Sequence, residues 1–557
     1  MKKGRNKEDP TNFNCIFGIL VSRRSFCTRY EPPASGNLGG IVCVDDSNAS
    51  KYDIVVHKKD GPPHRVSKLH PSYMPLQYPL LFPFAEPGWS PGMRLRSVSG
   101  AKMRNLTMNM YYSFQIQDRQ NMYSLLLNGG RLFQQYLVDA YTCIEQSRLD
   151  FVNANQNIFR SEFVAGLYDA LARCDNDAHD IGKRIFLPSS FTGGPRYMYK
   201  HYQDGLAICR VYGSPQYFIT FTCNVKWPEI SRHLDMVEGL QAQNCPDIIA
   251  RVFRIKVQQF LRFMRSDRTF GDVVAGIEQC CLLKSELISL SFADLYTIEF
   301  QKRGLPHCHT LIWVASAYKV RDAADVDRYI SAEIPDPVVD PALHKIVTDL
   351  MMHGPCGLAR PASPCMRDNR CSKSFPKMFE CNSRFDKDGY VHYRRRDSPH
   401  RATKNGILLD NSYVVPYNEA LIRHFNGHIN VEHCGWNMMI KYLFKYISKG
   451  ADRVRFCITR SEEAGAVSPA ATVPVINEVQ NFVDGRYICP HEASWRIINF
   501  PIHERTPAVE VLAVHLQNMQ NVTFKENLQL QAIIRNPSFG KTTLTKWLER
   551  TNDHRMV

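Results

Sequence analysis

Residues 295–314 read Leu-Tyr-Thr-Ile-Glu-Phe-Gln-Lys-Arg-Gly-Leu-Pro-His-Cys-His-Thr-Leu-Ile-Trp-Val. Two runs rich in β-branched and aromatic residues flank a glycine and a proline, so the stretch predicts a β-hairpin. A turn centred on the glycine sets Gln301 opposite His307 and Glu299 opposite His309. Strand side chains alternate between two faces, so these four side chains share one face.

Two imidazoles and a carboxylate on one face are a ligand set for a divalent cation. The pattern predicts Glu299, His307 and His309 as ligands of Mg²⁺ or Mn²⁺, with positions left open for a substrate; the nitrogen ligands favour Mn²⁺. Glu299 supports this interpretation because a carboxylate in an apolar strand needs a partner. Two alternatives stay open: an ordinary half-buried strand with exposed histidines, and Gln301 in place of Glu299 as the third ligand.

A second stretch, residues 434–450, reads Cys-Gly-Trp-Asn-Met-Met-Ile-Lys-Tyr-Leu-Phe-Lys-Tyr-Ile-Ser-Lys-Gly. Its apolar residues recur at helical spacing, and Tyr442 and Tyr446 lie one turn apart on one face, beside Lys445 and Lys449. A phenol has a pKa near 10 and needs a cation nearby to attack a phosphodiester. Two core tyrosines on an amphipathic helix remain the alternative.

Together the two stretches resemble the HUH endonucleases, which cut single-stranded DNA and carry two tyrosines on one helix. Here Cys308 takes the hydrophobic position between the two histidines. The match is best to the replication-initiator nuclease domain at the front of Helitron transposases, also called the Helitron helicase-like domain. The similarity extends to Phe-Thr-Cys-Asn-Val-Lys-Trp-Pro-Glu-Ile from Phe221 and to His-Pro-Ser-Tyr-Met-Pro-Leu-Gln-Tyr-Pro-Leu-Leu-Phe-Pro from His70.

The resemblance implies a metal-dependent endonuclease and strand transferase of rolling-circle transposition. Tyr442 or Tyr446 would form a 5′-phosphotyrosine, and Lys445 and Lys449 would stabilise the charge. It further implies single-stranded DNA at transposon ends as partner, nuclear localisation, and an ATP-dependent helicase that is normally fused on the C-terminal side and is expected to be missing here. Alternatives are a rolling-circle replication initiator, a catalytically inactive or domesticated DNA-binding fragment, and a zinc hydrolase.

Between the two stretches lies a segment with the spacing His353-x2-Cys356-x8-Cys365-x5-Cys371. One imidazole and three thiolates match a tetrahedral structural Zn²⁺ site. The glycines and prolines among them cannot form a core unaided, which favours a metal that holds the segment together. Ordinary reduced cysteines are the alternative.

Composition favours a polyanionic partner. Lys and Arg number 69 against 54 Asp and Glu, a net charge of +15. No apolar stretch is long enough for an export signal or a membrane span, so the 18 cysteines are expected to be reduced or bound to metal. Two groups of basic residues are predicted to contact DNA, with an ordinary surface loop and a solvated charge run as alternatives: Lys183, Arg184 and Arg196, and Arg394, Arg395 and Arg396.

The elements predict an α+β fold: an antiparallel-sheet HUH endonuclease core with helices on one side, a Cys/His-rich insertion and a mixed N-terminal domain. The resemblance implies that the hairpin lies at the sheet centre with the tyrosine helix packed against it. Predicted boundaries are an irregular tail (1–48), the N-terminal domain (49–200), the first part of the core with the hairpin (201–335), the insertion (336–400), the second part with the tyrosine helix (401–480), and a C-terminal segment leading toward the absent helicase (481–557).

Shorter patterns predict single elements. A strand is expected from Tyr217, and a helix after Pro246 with one buried face and Lys256 as its polar exception. Prolines at every fourth position of residues 70–89 predict an extended aromatic segment without a helix, packed on a domain rather than on bases. His424, His428 and His433 are interpreted as ordinary structure around a turn before a strand.

Overall fold

The computed structural model describes residues 54–56, 64–95, 104–155, 160–163, 187–236, 239–266, 269–270, 294–300, 304–387, 389–434, 478–484, 486–509, 514–516, 519–524, 529–536 and 541–553. The chain divides into two compact units, Met1–Gln146 and Ser147–Val557. Among the described helices, none is both long enough and apolar enough to cross a membrane.

The first unit pairs β1 (Ile54–Val56) with β2 (His64–Val66) and contains α1 (Tyr73–Gln77), α2 (Met108–Gln115) and most of α3 (Arg131–Ala154). Its core is aromatic: the buried ring of Tyr136 meets Tyr78 at 5.7 Å and Tyr112 at 6.1 Å between centroids. The proline-rich segment therefore packs on protein, as predicted. The prediction that it contains no helix is wrong, because Pro75 lies in the first turn of α1, where a helix needs no N–H donor.

The second unit is larger. Its α-helices are α4 (Pro195–Tyr212), α5 (Pro228–Leu234), α6 (Pro246–Ser266), α7 (Ala323–Tyr329), α8 (Pro341–Leu350), α9 (Glu419–Phe425), α10 (Glu478–Val483), α11 (Pro490–Ile497), α12 (Leu530–Arg535) and α13 (Thr543–Asp553). Its strands are β3 (Arg160–Phe163), β4 (Tyr217–Thr222), β5 (Asp294–Phe300), β6 (Pro306–Ile312), β7 (Met366–Arg367), β8 (Arg370–Cys371), β9 (Arg384–Phe385), β10 (Val391–His392), β11 (Ala402–Lys404), β12 (Ile407–Leu409), β13 (Ile429–His433), β14 (His503–Thr506) and β15 (Asn521–Phe524).

A five-stranded antiparallel sheet organises this unit. Its strand order is β13-β4-β6-β5-β14, which puts β6 at the centre, as expected for the hairpin. The fold is therefore mixed α and β around an antiparallel sheet, as predicted. The strands come from distant parts of the chain, and β14 belongs to the segment that the sequence assigned to the C-terminal side.

Helices pack on both faces of this sheet. On the first face, α6 buries an apolar stripe that includes Ile249, Phe253 and Phe260, as its periodicity predicts. On the second face, Ile208 and Cys209 of α4 cluster with side chains of the sheet: Phe218, Leu295, Leu311, Trp313 and Cys434. The prediction of helices on one side is wrong, because only part of the second face is polar and α4 covers its apolar end.

The polar exception predicted in α6 has a partner: Lys256 Nζ donates to Glu229 Oε1 at 2.7 Å. The turn before β13 is confirmed as well, since Asn426 adopts the left-handed conformation between α9 and β13. Burial lowers the pKa of His433 to about 4, so this histidine is a neutral structural side chain.

Candidate functional site

The predicted ligands of the hairpin lie side by side on the second face of the sheet. Glu299 pairs with His307, and Thr297 pairs with His309. The predicted register, with Glu299 opposite His309 and Gln301 opposite His307, is therefore wrong by two residues, and Gln301 lies outside the described residues. A shift of two residues keeps every side chain on its face, so Glu299 and both histidines still share one face.

The register differs because the connection between β5 and β6 is centred one residue before the glycine. Phe300 pairs with Pro306, which leaves residues 301–305 to connect the strands. Gly304 has a φ of +90°, and a β-carbon there would lie 2.7 Å from His491 Nδ1. Glycine is thus required near the end of the connection by its backbone conformation and by the helix α11 behind it.

Threonine hydroxyls of β4 hold both imidazoles. His307 Nδ1 lies 2.9 Å from Thr222 Oγ1, and His309 Nδ1 lies 3.1 Å from Thr220 Oγ1. A hydrogen bond at Nδ1 fixes the ring and directs Nε2 to the other side, which is the usual arrangement of histidines that bind metal. The two rings are nearly parallel, at 11° and with centroids 6.5 Å apart.

Glu299 completes the group. Its Oε2 lies 2.7 Å from His309 Nε2, and the two side chains are 17% and 4% exposed. This separation is a hydrogen-bond distance, and a cation bound by both atoms would replace the hydrogen bond. Two imidazole nitrogens and one carboxylate oxygen are donor types that Mn²⁺ and Mg²⁺ accept. Among the described residues, however, the ligand atoms that lie within 4.8 Å of one another are those of another group, His353, Cys356, Cys365 and Cys371, so cation binding at the hairpin stays a prediction.

Sequence reasoning missed the threonines and a third pair of the same kind. Thr297 Oγ1 lies 3.0 Å from His503 Nδ1, so the Thr–His arrangement repeats at the β14 edge of the sheet. A signal was present in Thr220-Phe-Thr222, whose alternation puts both hydroxyls on one face. That alternation identifies the threonines as partners of the histidines only if β4 pairs with β6, and the sequence does not reveal this pairing.

The other half of the predicted site belongs to a part of the chain that the structure does not describe. Tyr442, Tyr446, Lys445 and Lys449 lie outside the described residues. The same is true of two predicted DNA contacts, Lys183 and Arg184. Their roles stay predictions.

The structure brings together the four predicted ligands of the insertion. His353, Cys356, Cys365 and Cys371 place one ligand atom each within 4.8 Å of all the others, and these four can hold a metal ion. Cys371 Sγ and His353 Nε2 are 3.3 Å apart. The short strands β7 and β8 connect the last two cysteines. We call residues 353–371 the metal knuckle.

The thiols of the metal knuckle differ in their electrostatics. Burial, followed by contact with Cys371 and Cys365, raises the pKa of Cys356 to about 12. Burial also acts on Cys371, but hydrogen bonds from the backbone N–H groups of Phe375 and Lys373 outweigh it and lower the pKa of that thiol. Burial lowers the pKa of His353, which leaves a neutral imidazole suited to a metal.

The predicted DNA contact at Arg395 is wrong. Its side chain is buried, and Nη1 donates to the carbonyl oxygens of Asn411 at 2.8 Å and Val414 at 2.6 Å. A buried guanidinium whose N–H groups donate to backbone carbonyl oxygens cannot contact a nucleic acid. Burial also lowers the pKa of Arg395 to about 10.

The neighbouring arginines have carboxylate partners. Arg396 forms two hydrogen bonds with Glu333, at 2.9 and 2.6 Å, and Arg394 lies 3.5 Å from the same carboxylate. Arg196, which lies in α4, forms two hydrogen bonds with Glu478, at 2.9 and 2.8 Å. These pairs give the three arginines structural roles, and their part in DNA binding stays a prediction.

Residues 111–312 match the family model described as the Helitron helicase-like domain at the N-terminus. This part of the chain is a Helitron helicase-like domain. The match includes β4, β5 and β6, and therefore the Thr–His pairs of the hairpin. A search among curated proteins finds no match for the chain. A Helitron helicase-like domain suggests a role related to Helitron transposases and implies interaction with DNA.

Proposed function

We propose that the chain is a metal-dependent endonuclease and strand transferase that acts on single-stranded DNA at the ends of a Helitron-like transposon, with an HUH core. The observation that carries the proposal is the group formed by His307 and His309 on the central strand β6 and Glu299 on the neighbouring strand β5. Both imidazoles are oriented through Nδ1 by threonine, and the carboxylate lies at hydrogen-bond distance from His309. A plain structural strand has no need of such an arrangement.

The position of β13 also supports the proposal. Through Thr220 of β4, Asn430 of β13 lies in line with His309. His433, the last residue of β13, is three residues beyond Asn430, a distance of roughly 10 Å along the strand. Tyr442 follows Cys434 by eight residues, and eight residues span up to about 27 Å when extended. The connection is therefore long enough for Tyr442 and Tyr446 to reach the histidines.

In the proposed reaction, the phenol oxygen of Tyr442 or Tyr446 attacks the phosphorus of a phosphodiester. The new bond joins tyrosine to a 5′-phosphate, the bond to the 3′-oxygen breaks, the phenol loses its proton, and the 3′-oxygen gains one. Because the tyrosyl phosphodiester keeps the bond energy, the second tyrosine can cut another strand and a 3′-hydroxyl can rejoin it. Lys445 and Lys449 would stabilise phenolate or phosphate charge.

Glu299, His307 and His309 would hold the cation. When bound, Mn²⁺ or Mg²⁺ supplies charge compensation at a nonbridging phosphate oxygen. The residues of the chain contribute ligand orientation and a partly buried face, since His307 and His309 are 8% and 4% exposed. Exclusion of water there strengthens each electrostatic interaction with the phosphate.

The metal knuckle is proposed to bind Zn²⁺ as a structural ion. One imidazole and three thiolates are a typical ligand set for structural zinc, and the four ligand atoms already converge. The proposal further includes nuclear localisation and cooperation with an ATP-dependent helicase, both of which follow from the family resemblance.

The test uses labelled single-stranded oligonucleotides of randomised sequence, incubated with the full chain and Mn²⁺. We expect a covalent protein–DNA adduct that survives denaturing electrophoresis, disappears with a chelator, and is lost in Tyr442→Phe/Tyr446→Phe. Tyr199→Phe, at an exposed tyrosine of α4, is the matched control and should keep the adduct. DNA binding without an adduct in the unaltered chain would refute the nuclease and favour a DNA-binding fragment.

A further inference from the structure

The tip of the metal knuckle is an exposed basic hairpin. β7 and β8 pair Met366 with Cys371 and Arg367 with Arg370. The two residues between them, Asp368 and Asn369, have positive φ angles of 48° and 58°, which makes a tight turn. Cys365 and Cys371 lie at the base of the hairpin, and a metal ion bound by both would hold it from both strands.

The charge of this surface is unbalanced. Arg360, Arg367, Arg370 and Lys373 are exposed, and Asp368 is the acidic residue in the same stretch. Among the described residues, none of these four cations forms an ion pair with a carboxylate. The arginines at 394 and 396, in contrast, are each paired with Glu333. The sequence alone could not show which of these basic residues have carboxylate partners, since both groups contain arginines among polar residues.

Directly paired residues of an antiparallel hairpin project to the same side, with β-carbons about 5 Å apart. Arg367 and Arg370 therefore present two guanidinium groups together. A guanidinium donates two parallel hydrogen bonds to a phosphate, and it is less strongly hydrated than an ammonium. The short turn and the ligands at the base limit the entropy lost when the hairpin binds.

We propose that the metal knuckle binds the sugar–phosphate backbone of DNA through Arg367 and Arg370, with Arg360 and, just beyond the knuckle, Lys373 adding to the attraction. Such contacts position a strand without reading its sequence. The inference rests on the proposed function in taking DNA as the partner. It does not need the chain to cut DNA, so binding and cleavage can fail separately.

A competing explanation is that the arginines serve the metal group itself. Three thiolates, a neutral imidazole and Zn²⁺ carry a net charge of −1, which nearby cations would stabilise. In that case, removing the arginines would weaken metal retention and leave DNA affinity unchanged. The two explanations therefore differ in what each measurement shows.

The experiment measures binding of fluorescent single-stranded and duplex oligonucleotides by anisotropy over a range of salt concentrations. All proteins are full-length, loaded with Zn²⁺, and carry Tyr442→Phe/Tyr446→Phe so that no cutting interferes. Arg367→Ala/Arg370→Ala is compared with Arg210→Ala/Arg262→Ala, which removes the same charge from exposed positions on α4 and α6. Metal content and thermal unfolding are recorded for each protein.

We expect Arg367→Ala/Arg370→Ala to bind at least one DNA form about tenfold more weakly. Loss of two phosphate contacts should also reduce the slope of log affinity against log salt by about 1.4 on single strands. Asp368→Asn, which keeps a residue that tolerates positive φ, should bind more tightly. Comparison of the two DNA forms shows whether the surface prefers single strands or duplex.

Equal loss in the Arg210/Arg262 control would overturn the proposal, because it would show a general effect of charge. So would unchanged affinity and salt slope for Arg367→Ala/Arg370→Ala, with or without loss of metal. If that variant fails to retain Zn²⁺, the binding change in Asp368→Asn decides, and no gain in its affinity refutes the proposal.

Discussion

The hairpin of the central sheet contains the histidines proposed to bind a cation, and the metal knuckle contains a histidine and three cysteines that can hold one, yet the two are built in opposite ways. His307 and His309 lie on a central strand that is paired on both sides. The knuckle ligands lie on a segment with two-residue strands and one 3-10 turn, Gly357–Ala359. In the hairpin, backbone pairing and threonines fix the side chains. In the knuckle, the ligand atoms themselves converge, so a metal ion is expected to fix the chain.

This difference separates two uses of a metal. A site formed by secondary structure can exchange its cation without losing its shape, which suits a cation that acts on a substrate. A site whose fold depends on the ion must keep it, which suits a structural ion. Four measurements can break or sharpen this comparison.

The largest effect is expected for Cys356→Ser. Loss of a ligand should release Zn²⁺ and remove on the order of 10 kcal/mol of local stability, as in zinc-finger peptides. Hydrogen exchange should then become fast in residues 353–371 and stay slow in β5 and β6. Cys381→Ser is the matched control, because this exposed cysteine lies outside the metal group. Equal loss of protection in both regions would show that the sheet also depends on the metal.

A smaller effect is expected for Gly304→Ala. The left-handed backbone costs about 1–2 kcal/mol for a residue with a β-carbon, and the contact of 2.7 Å with His491 Nδ1 adds about 1–3 kcal/mol of overpacking. Chemical denaturation should show the summed loss. Gly406→Ala provides the control. Gly406 has a φ of +77° and open space around it, so this variant should lose only the stability due to the left-handed backbone. Similar losses in both variants would contradict the packing of α11 behind the turn.

Low pH should reduce the free energy of unfolding through His491 of α11, which packs against Gly304 in the connection between β5 and β6, and it should do so even without zinc. Burial lowers the pKa of His491 to about 4, against about 6.5 in an unfolded chain. The unfolded state therefore binds the proton more readily, and the stabilisation present above pH 6.5 is lost as the pH falls toward 4. The loss should reach up to about 3 kcal/mol.

Denaturation at several pH values would measure this, in a zinc-free Cys356→Ser background that removes acid release of the metal. His491→Gln in the same background should show a weaker dependence on pH. If the two profiles coincide, the imidazole of His491 is not the group that titrates.

The smallest effect is expected for Thr222→Val, which keeps the shape and removes the hydroxyl bonded to His307. Orienting partners of this kind are worth about 10–100-fold in metal affinity. Titration of Mn²⁺, followed by the magnetic resonance signal of the free ion, should show that loss, whereas Thr222→Ser should restore most of the affinity. Equal affinity for all three proteins would show that the sheet alone orients the imidazole.

Local patterns were enough to predict β4, α6 and the hairpin, because hydrophobic periodicity reflects which side of an element is buried. The register of the hairpin was missed by two residues, since five residues connect the strands and composition does not reveal where the turn is centred. Arg395 was missed for another reason: its acceptors at Asn411 and Val414 are brought together by tertiary structure. The ligands of the metal knuckle could be predicted because imidazole and thiol groups are themselves the metal ligands, and they lie close together in the sequence.

The distant origin of the outer strands has a practical consequence for how this protein can be divided. A recombinant fragment that stops at residue 312, where the family match ends, would keep β6 between β4 and β5 but lose their outer neighbours, β13 and β14. Strands β4 and β5 would each then present unpaired backbone N–H and C=O groups along one edge, and such open edges promote aggregation. Soluble expression therefore calls for a boundary beyond β14, well outside the region by which the family is detected.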